Sequence, residues 1–141
     1  MKAFLILALA TAMSGANPEL SFRFVTPCTP QSRSFTFVYH GDAEQMCLED
    51  APALEGSDFA GVTAVSDKIV RLALSKDGTR KFSHITSSNI GRRIAVAFGD
   101  KVLEAPWIRQ QTILFALNMR PEVDKATLDT LVAAYPPPKT P

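Results

Sequence analysis

NIGRRIAVAFGDKVLEAPWI, Asn89 to Ile108, is the stretch on which the fold turns. Asn89 to Gly91 reads as a helix stop, with Gly91 supplying the left-handed backbone that such a stop requires. Ile94, Val96 and Phe98 then alternate with Ala95 and Ala97. That is a strand of period two whose second face is small but still apolar, so it can be covered on both sides. Gly99-Asp100 is a Gly-X pair suited to a two-residue type II′ hairpin turn, and Lys101 to Ile108 returns as the partner strand. Pro106 has no N–H to give to a ladder, so it sets the return strand at a sheet edge or interrupts it there.

Upstream, Ser75 reads as the N-cap of the helix that stops at Asn89, with Asp77 complementing the positive end of its dipole. Phe82, Ile85 and Thr86 recur at helical spacing, and Gly78 allows close approach one turn earlier. Thr63 to Val65, the polar turn Ser66-Asp67-Lys68, and Ile69 to Leu74 read as a hairpin that buries Val70, Leu72 and Leu74. Glu49 to Val62 is broken by Pro52, Gly56 and Gly61, with Ser57-Asp58 placed to cap one helical turn around Phe59. Leu20 to Val25 and Ser34 to His40 are alternating strands on either side of a loop pinned by Pro27 and Pro30. After the turn at Gly41-Asp42, Glu44 to Leu48 is compatible with a third strand.

Downstream, Thr112 to Leu117 reads as a strand. Pro121 is suited to the first turn of a closing helix whose Leu128, Leu131, Val132 and Tyr135 form one apolar stripe. Pro136-Pro137-Pro138 ends that helix and leaves an extended tail to residue 141. Hairpins dominate and no long parallel crossover is evident. The expected fold is α+β, a mainly antiparallel sheet with two helices packed on one face, in a single domain over residues 17–135.

The first sixteen residues are read apart from the fold. Met1-Lys2, an apolar run from Ala3 to Ala12, and Ser14-Gly15-Ala16 before Asn17 have the form of a secretory signal peptide, with cleavage after Ala16. The competing reading is a retained anchor or a first helix, but the run falls short of the ~20 apolar residues a membrane helix needs. Cleavage removes Lys2 and no acid, so 15 basic and 14 acidic residues become 14 and 14. A neutral mature chain offers no electrostatic reason to bind nucleic acid, and no stable membrane insertion is expected after cleavage. The expected location is periplasmic or secreted.

In an oxidising compartment Cys28 and Cys47, the two cysteines of the chain, read as a disulfide. Such a loop closure stabilises a fold by roughly 3 kcal/mol in the chain-entropy model. The alternatives are a metal pair or a reactive thiol, but no CxxC occurs and His40 has no partner histidine at ligand spacing.

No catalytic set assembles in the sequence. Ser83 and His84 are neighbours whose side chains diverge by about 100° on a helix, so they form no dyad. There is no GxSxG and no Gly-rich phosphate motif. Asp42, Glu44, Glu49, Asp50, Glu55 and Asp58 lie in loop-like sequence without ligand spacing and read as a solvated acidic loop rather than a paired-carboxylate or metal site. No cofactor and no metal are expected. One polar constellation stands out: Lys76, Arg80, Lys81 and His84 around the exposed side of the first helix, followed by Arg92-Arg93. It reads either as a basic patch for an acidic partner or as a solvated face with cations near the helix's negative end. Trp107 reads as core or edge packing, or as a contact platform beside Pro106.

The order of these residues resembles the head subdomain of the first periplasmic domain of SecD and SecDF, the protein-export membrane proteins. In that family a strand is followed by an acid-Gly-x-x-x-Phe helix, Thr, Asn-Ile-Gly-Arg, a strand ending in a small turn, and Val-x-x-x-Pro-x-Ile. The matching residues are Asp77, Gly78, Phe82, Thr86, Asn89, Ile90, Gly91, Arg92, Val102, Pro106 and Ile108. Upstream, Pro52-x-Leu54-x-Gly56-x-Asp58 resembles the family's Pro-x-Leu-x-Gly-x-Asp segment. The likeness covers about Glu44 to Ala134. It departs at Arg120, where the family places a Ser or Thr cap.

The resemblance implies contact with translocating polypeptide on the outer face of the membrane. It does not extend to proton-driven export, which in the family requires transmembrane helices and a separate base subdomain. The expected function is a non-enzymatic, exported SecD-head-like domain that binds a polypeptide or protein partner and is linked to protein export. Candidate contact residues are Lys76, Arg80, Lys81, His84, Arg92, Arg93, Pro106 and Trp107. The alternative is a periplasmic inhibitor or immunity-type protein that blocks an enzyme.

Overall fold

Nine strands and two helices form in the order the alternation and caps require, and the computed structural model describes residues 18–137. The signal peptide expected over residues 1–16 and the tail from residue 138 lie outside the described residues. Strands β1 (Leu20–Thr26), β2 (Ser34–Tyr39), β3 (Asp42–Leu48) and β4 (Leu54–Glu55) come first, then a 3₁₀ turn at Gly56–Asp58. They are followed by β5 (Phe59–Ala64), β6 (Val70–Leu74) and helix α1 (Lys76–Ser88). The hairpin β7 (Ile94–Phe98) and β8 (Lys101–Glu104), strand β9 (Ala116–Met119) and helix α2 (Lys125–Ala134) complete the chain.

The fold is α+β and mainly antiparallel, but the strands divide into two sheets. The larger is ordered β3-β2-β8-β7-β1-β4, and β3 also pairs with β1, which closes five of its strands into a ring. Only the β2–β8 pair is parallel. Alternation along β7 fills both sides of this ring. Ala95 and Ala97 point inward with Phe35, Phe37, Met46, Leu48 and Val102. Ile94, Val96 and Phe98 point outward into the main core with Leu20, Phe22 and Phe24. Small residues on the inner face suit a tight barrel whose interior holds only side chains.

The ring closes where Thr26 lies opposite Cys47, and Cys28, two residues further on, forms the disulfide to Cys47. The cross-link therefore clasps a seam of only two residue pairs, Val25↔Leu48 and Thr26↔Cys47.

The smaller sheet, β5-β6-β9, contributes Phe59, Val62, Val70, Leu72, Leu74 and Met119 to the main core. Both helices enter that same core, α1 through Phe82 and α2 through Leu128 and Leu131. Helix α1 starts at Ser75, whose hydroxyl accepts from the Gly78 N–H at 3.0 Å. Its first turn lies directly on the 3₁₀ turn. A Cβ at Gly78 would sit 2.0 Å from the Asp58 carbonyl oxygen, a contact no side chain tolerates. The Ser75 N–H donates to that same carbonyl at 2.9 Å. At the other end Gly91 takes φ +92° as expected, and its N–H turns to the Ile108 carbonyl.

Several boundaries differ from the sequence expectation, each for a physical reason. The turn near Phe59 is Gly56–Asp58 with Glu55 as N-cap, because the Asp58 carboxylate reaches back to the Glu55 N–H at 3.0 Å. Phe59 itself begins β5, so the hairpin's first strand is longer than Thr63 to Val65. The expected strand Thr112 to Leu117 moves to Ala116–Met119, since Thr112 is held on α1 by its N–H to Thr86 Oγ1 at 2.8 Å.

The closing helix starts at Lys125 and not at Pro121, because Asp124 supplies the cap by accepting from the Thr127 N–H. Tyr135 falls at its C-cap, where the phenol oxygen accepts from the Leu20 N–H. The β8 strand ends at Glu104, short of the expected Ile108, and pairing resumes at the isolated bridge Arg93↔Trp107. Pro106 is thus an interruption; β8 is an inner strand, paired with both β7 and β2.

Gly78→Ala tests the seat of α1. Alanine is the better helix former by about 1 kcal/mol, yet overpacking against Asp58 is expected to win and lower stability by about 1–3 kcal/mol. Urea unfolding that shows a neutral or stabilised variant would refute the contact. Replacing Cys28 and Cys47 together by serine is expected to cost roughly 3 kcal/mol in the same assay, and an unchanged midpoint would mean that the seam is held without the cross-link.

Candidate functional site

The cations singled out in the sequence are mostly committed to internal partners. Lys81 Nζ lies 3.0 Å from Asp58 Oδ1, whose side chain is only 3% exposed. Arg80 pairs with Asp77 on the same helix face. Arg92 pairs with Glu49 at 2.9 Å, donates to Asn89 Oδ1, and stacks 4.0 Å above the Phe24 ring. Arg93 donates through Nε to the Ala105 carbonyl at 2.7 Å and lies 3.5 Å from Glu44. Its guanidinium stands 5.7 Å from the Trp107 ring centroid. The structure therefore gathers Arg93, Pro106 and Trp107 at one place, and spreads Lys76, Arg80, Lys81 and His84 along α1. The acidic-loop residues do not converge; among the described residues no group of three or more His, Cys, Asp or Glu could hold a metal ion.

The exposed apolar surface is more concentrated. The chain after Trp107 runs back along α1: Ile108 bonds to Gly91 and Arg92, Gln111 to Ser83, Thr112 to Thr86, and Phe115 to Leu74. This flank carries Ile90, Trp107, Ile113 and Phe115, which are 60%, 55%, 69% and 72% exposed. They are four of the six large apolar side chains exposed on the described residues. Sequence reading missed Ile90, Ile113 and Phe115. The signal lay in the unbroken run Ile113-Leu114-Phe115-Ala116-Leu117, since a strand over one core can bury only one parity of such a run.

A cleft of about 590 Å³ opens between the β2–β3 turn and the segment before α2. Its walls include Tyr39, His40, Glu104, Arg120 and Glu122. Glu122 accepts from the backbone N–H groups of His40 and Gly41, which fixes the turn. Half-burial of the Glu104 carboxyl raises its pKa above the usual 4.5, partly offset by the Arg120 N–H that donates to it.

The family model described as the SecDF P1 head subdomain matches residues 32–123. The protein translocase subunit SecDF of Thermus thermophilus is 32% identical over 96 residues, covering 62% of this chain and 13% of that protein. The SecD subunit of Acetobacter pasteurianus is 38% identical over 110 residues, covering 70% of this chain and 21% of that protein. Among solved structures, one of a membrane component SecDF that enhances protein export superposes with a TM-score of 0.59 at 22% identity. It covers 89% of this chain and 65% of that one, and at this identity the likeness speaks to fold alone.

The family match over residues 32–123, on a closed five-stranded ring beside a three-stranded sheet, makes this a head domain of the kind found in protein-translocase subunits. The chain belongs to the SecDF P1 head subdomain family. It spans about a fifth or less of the length of the curated relatives it matches. No helix among the described residues is long and apolar enough to cross a membrane.

The Glu104 environment has a pH signature. Its folded pKa exceeds its unfolded value, so the folded state holds the proton longer, and this group's contribution falls as pH rises past about 4.5. Glu104→Gln is therefore expected to gain stability relative to the parent as pH rises from 4 to 7, read from thermal midpoints of both proteins. A difference that stays constant across this range would contradict the desolvation.

Proposed function

We propose that this chain is a non-enzymatic, exported head domain that binds polypeptide outside the cytoplasm in support of protein export. The observation that carries the reading is the exposed apolar flank along α1, formed by Ile90, Trp107, Ile113 and Phe115. Exposed apolar side chains gathered on one side of a small domain mark a contact surface, and unfolded polypeptide is an apolar partner of no fixed shape. The basic residues support the same surface at one end, where Arg93 stands beside Trp107 and Pro106. Lys76 and His84 extend the candidate contact along the exposed side of α1. Relatives that are translocase subunits favour this reading; nothing in them favours an inhibitor or immunity protein.

The test uses the chain without residues 1–16 and a carboxymethylated, permanently unfolded polypeptide. Binding is expected in fluorescence anisotropy, and joint replacement of Ile113 and Phe115 by serine is expected to weaken it by at least about tenfold. Both side chains are exposed, so the thermal midpoint should be unchanged. Absence of binding by the parent protein would sink the proposal.

A further inference from the structure

The two edges of the smaller sheet are treated differently. On β5 the outward N–H of Val62 donates to the Tyr135 carbonyl at 2.6 Å. Pro136 and Pro137 follow across the same strand so closely that a Cβ at Gly61 would lie 2.5 Å from Pro137 Cα. The chain's own C-terminal segment therefore covers that edge, as natural sheets commonly do.

The other edge, β9, is left bare. It pairs only with β6, and the bond from Leu74 N to Phe115 O sets the alternation. Leu74, Leu72 and Val70 exchange ladder bonds with Phe115, Leu117 and Met119, so the N–H and C=O groups of Ala116 and Asn118 face outward. Among the described residues no hydrogen bond reaches these groups from outside. No proline and no lysine lies on the strand to discourage pairing.

The faces of β9 specify what would pair with it. On the core side the edge presents half-buried Leu117 and exposed Phe115. On the solvent side Asn118 lies opposite Arg71, which is exposed and forms no ion pair among the described residues. Residues of an added strand opposite Leu117 would meet apolar surface, and those opposite Asn118 would stand in line with the unneutralised Arg71 two strands away, about 10 Å at the usual strand spacing and within reach of its long side chain. We infer that the β9 edge accepts an extended polypeptide segment in which apolar residues alternate with acidic ones, added as a fourth strand through the main chain of Ala116 and Asn118. This rests on the polypeptide-binding reading above and gives it a site and a sequence preference.

The test is anisotropy titration of a labelled nine-residue peptide alternating valine and glutamate, against the chain without residues 1–16. In antiparallel addition the residues opposite Ala116 and Asn118, the glutamates, bond to the edge. N-methylation of the glutamate amides is then expected to weaken binding by at least about tenfold, and N-methylation of the valine amides to leave it unchanged. The mirror pattern reports parallel addition and equally supports the site.

Equal sensitivity to both methylations overturns edge pairing. A valine-lysine peptide that binds as well overturns the acidic preference. Asn118→Pro, which removes only an outward N–H, should reproduce the methylation effect. If it fails to fold, the methylated peptides still decide. A dimer in sedimentation equilibrium that Asn118→Pro dissolves would give the edge to a second copy and overturn the assignment. Where unfolded polypeptide binds but no methylation pattern is seen, this inference fails and the broader reading survives; where nothing binds the parent protein, the broader reading fails.

Discussion

The contact on which the structure depends is the seat of α1 on the turn at Asp58. The Asp58 carbonyl accepts from the Ser75 N–H while the bare Cα of Gly78 lies against the same peptide. Its carboxylate, almost wholly buried, accepts from the Glu55 N–H and pairs with Lys81. One residue thereby ties β4, which pairs along β1 of the closed ring, to the helix that follows β6 of the small sheet. Around this tie Phe22 packs on Phe59 and on Phe82 at centroid separations of 5.6 and 5.7 Å, one aromatic from each of the three parts. A buried charge is costly unless paired and hydrogen-bonded. Here both conditions are met by neighbours that the fold itself brings together.

With α1 fixed, the remaining architecture divides its apolar residues between two cores. Strand β7 is the wall between them, with all five of its residues buried. Its alanines leave room inside the ring for Phe35, Phe37 and Met46, and its large residues fill the core shared with the helices. Exchange of the two parities would overfill the ring and hollow the main core, so the register of β7 against β1 is set from both sides. The disulfide then secures the two-residue seam between β1 and β3, one of the two short ladders in the ring.

Most of the elements were legible in the sequence because local signals caused them. Ser75 as a cap, Gly91 as a stop, Gly99-Asp100 as a turn and the alternation of β1, β2 and β7 all operate within a few residues. Closure of the ring was not legible, since it arises from β3 meeting β1 and β8 meeting β2 across the chain. Long-range contacts also moved two boundaries. Thr86 captures Thr112 and delays β9, and Asp124 out-competes Pro121 as the start of α2 because a side-chain acceptor satisfies an N–H that proline merely lacks. The candidate site was half legible: the resemblance to SecD pointed to polypeptide contact, and the basic residues were visible as a group. Their engagement with Asp58, Glu49 and Glu44 depends on the folded neighbourhood. So does the exposure of Ile113 and Phe115, which by composition alone belong in a core.

That division of labour among the charges bears on recognition. The mature chain is neutral by its expected cleavage, and four of its prominent cations spend their charge on internal carboxylates, so little field is left to steer a highly charged partner. What projects outward along α1 is apolar side chain, and what projects from β9 is main chain. Apart from the acidic preference inferred beside Arg71, neither reads a particular sequence strongly: apolar contact is non-directional, and main-chain hydrogen bonds are the same for every residue except proline. On the polypeptide-binding reading proposed above, a surface built from these two components would suit many extended chains in turn, each held weakly and released readily. Tight recognition of one folded partner would instead call for a desolvated anchor pocket and complementary charges.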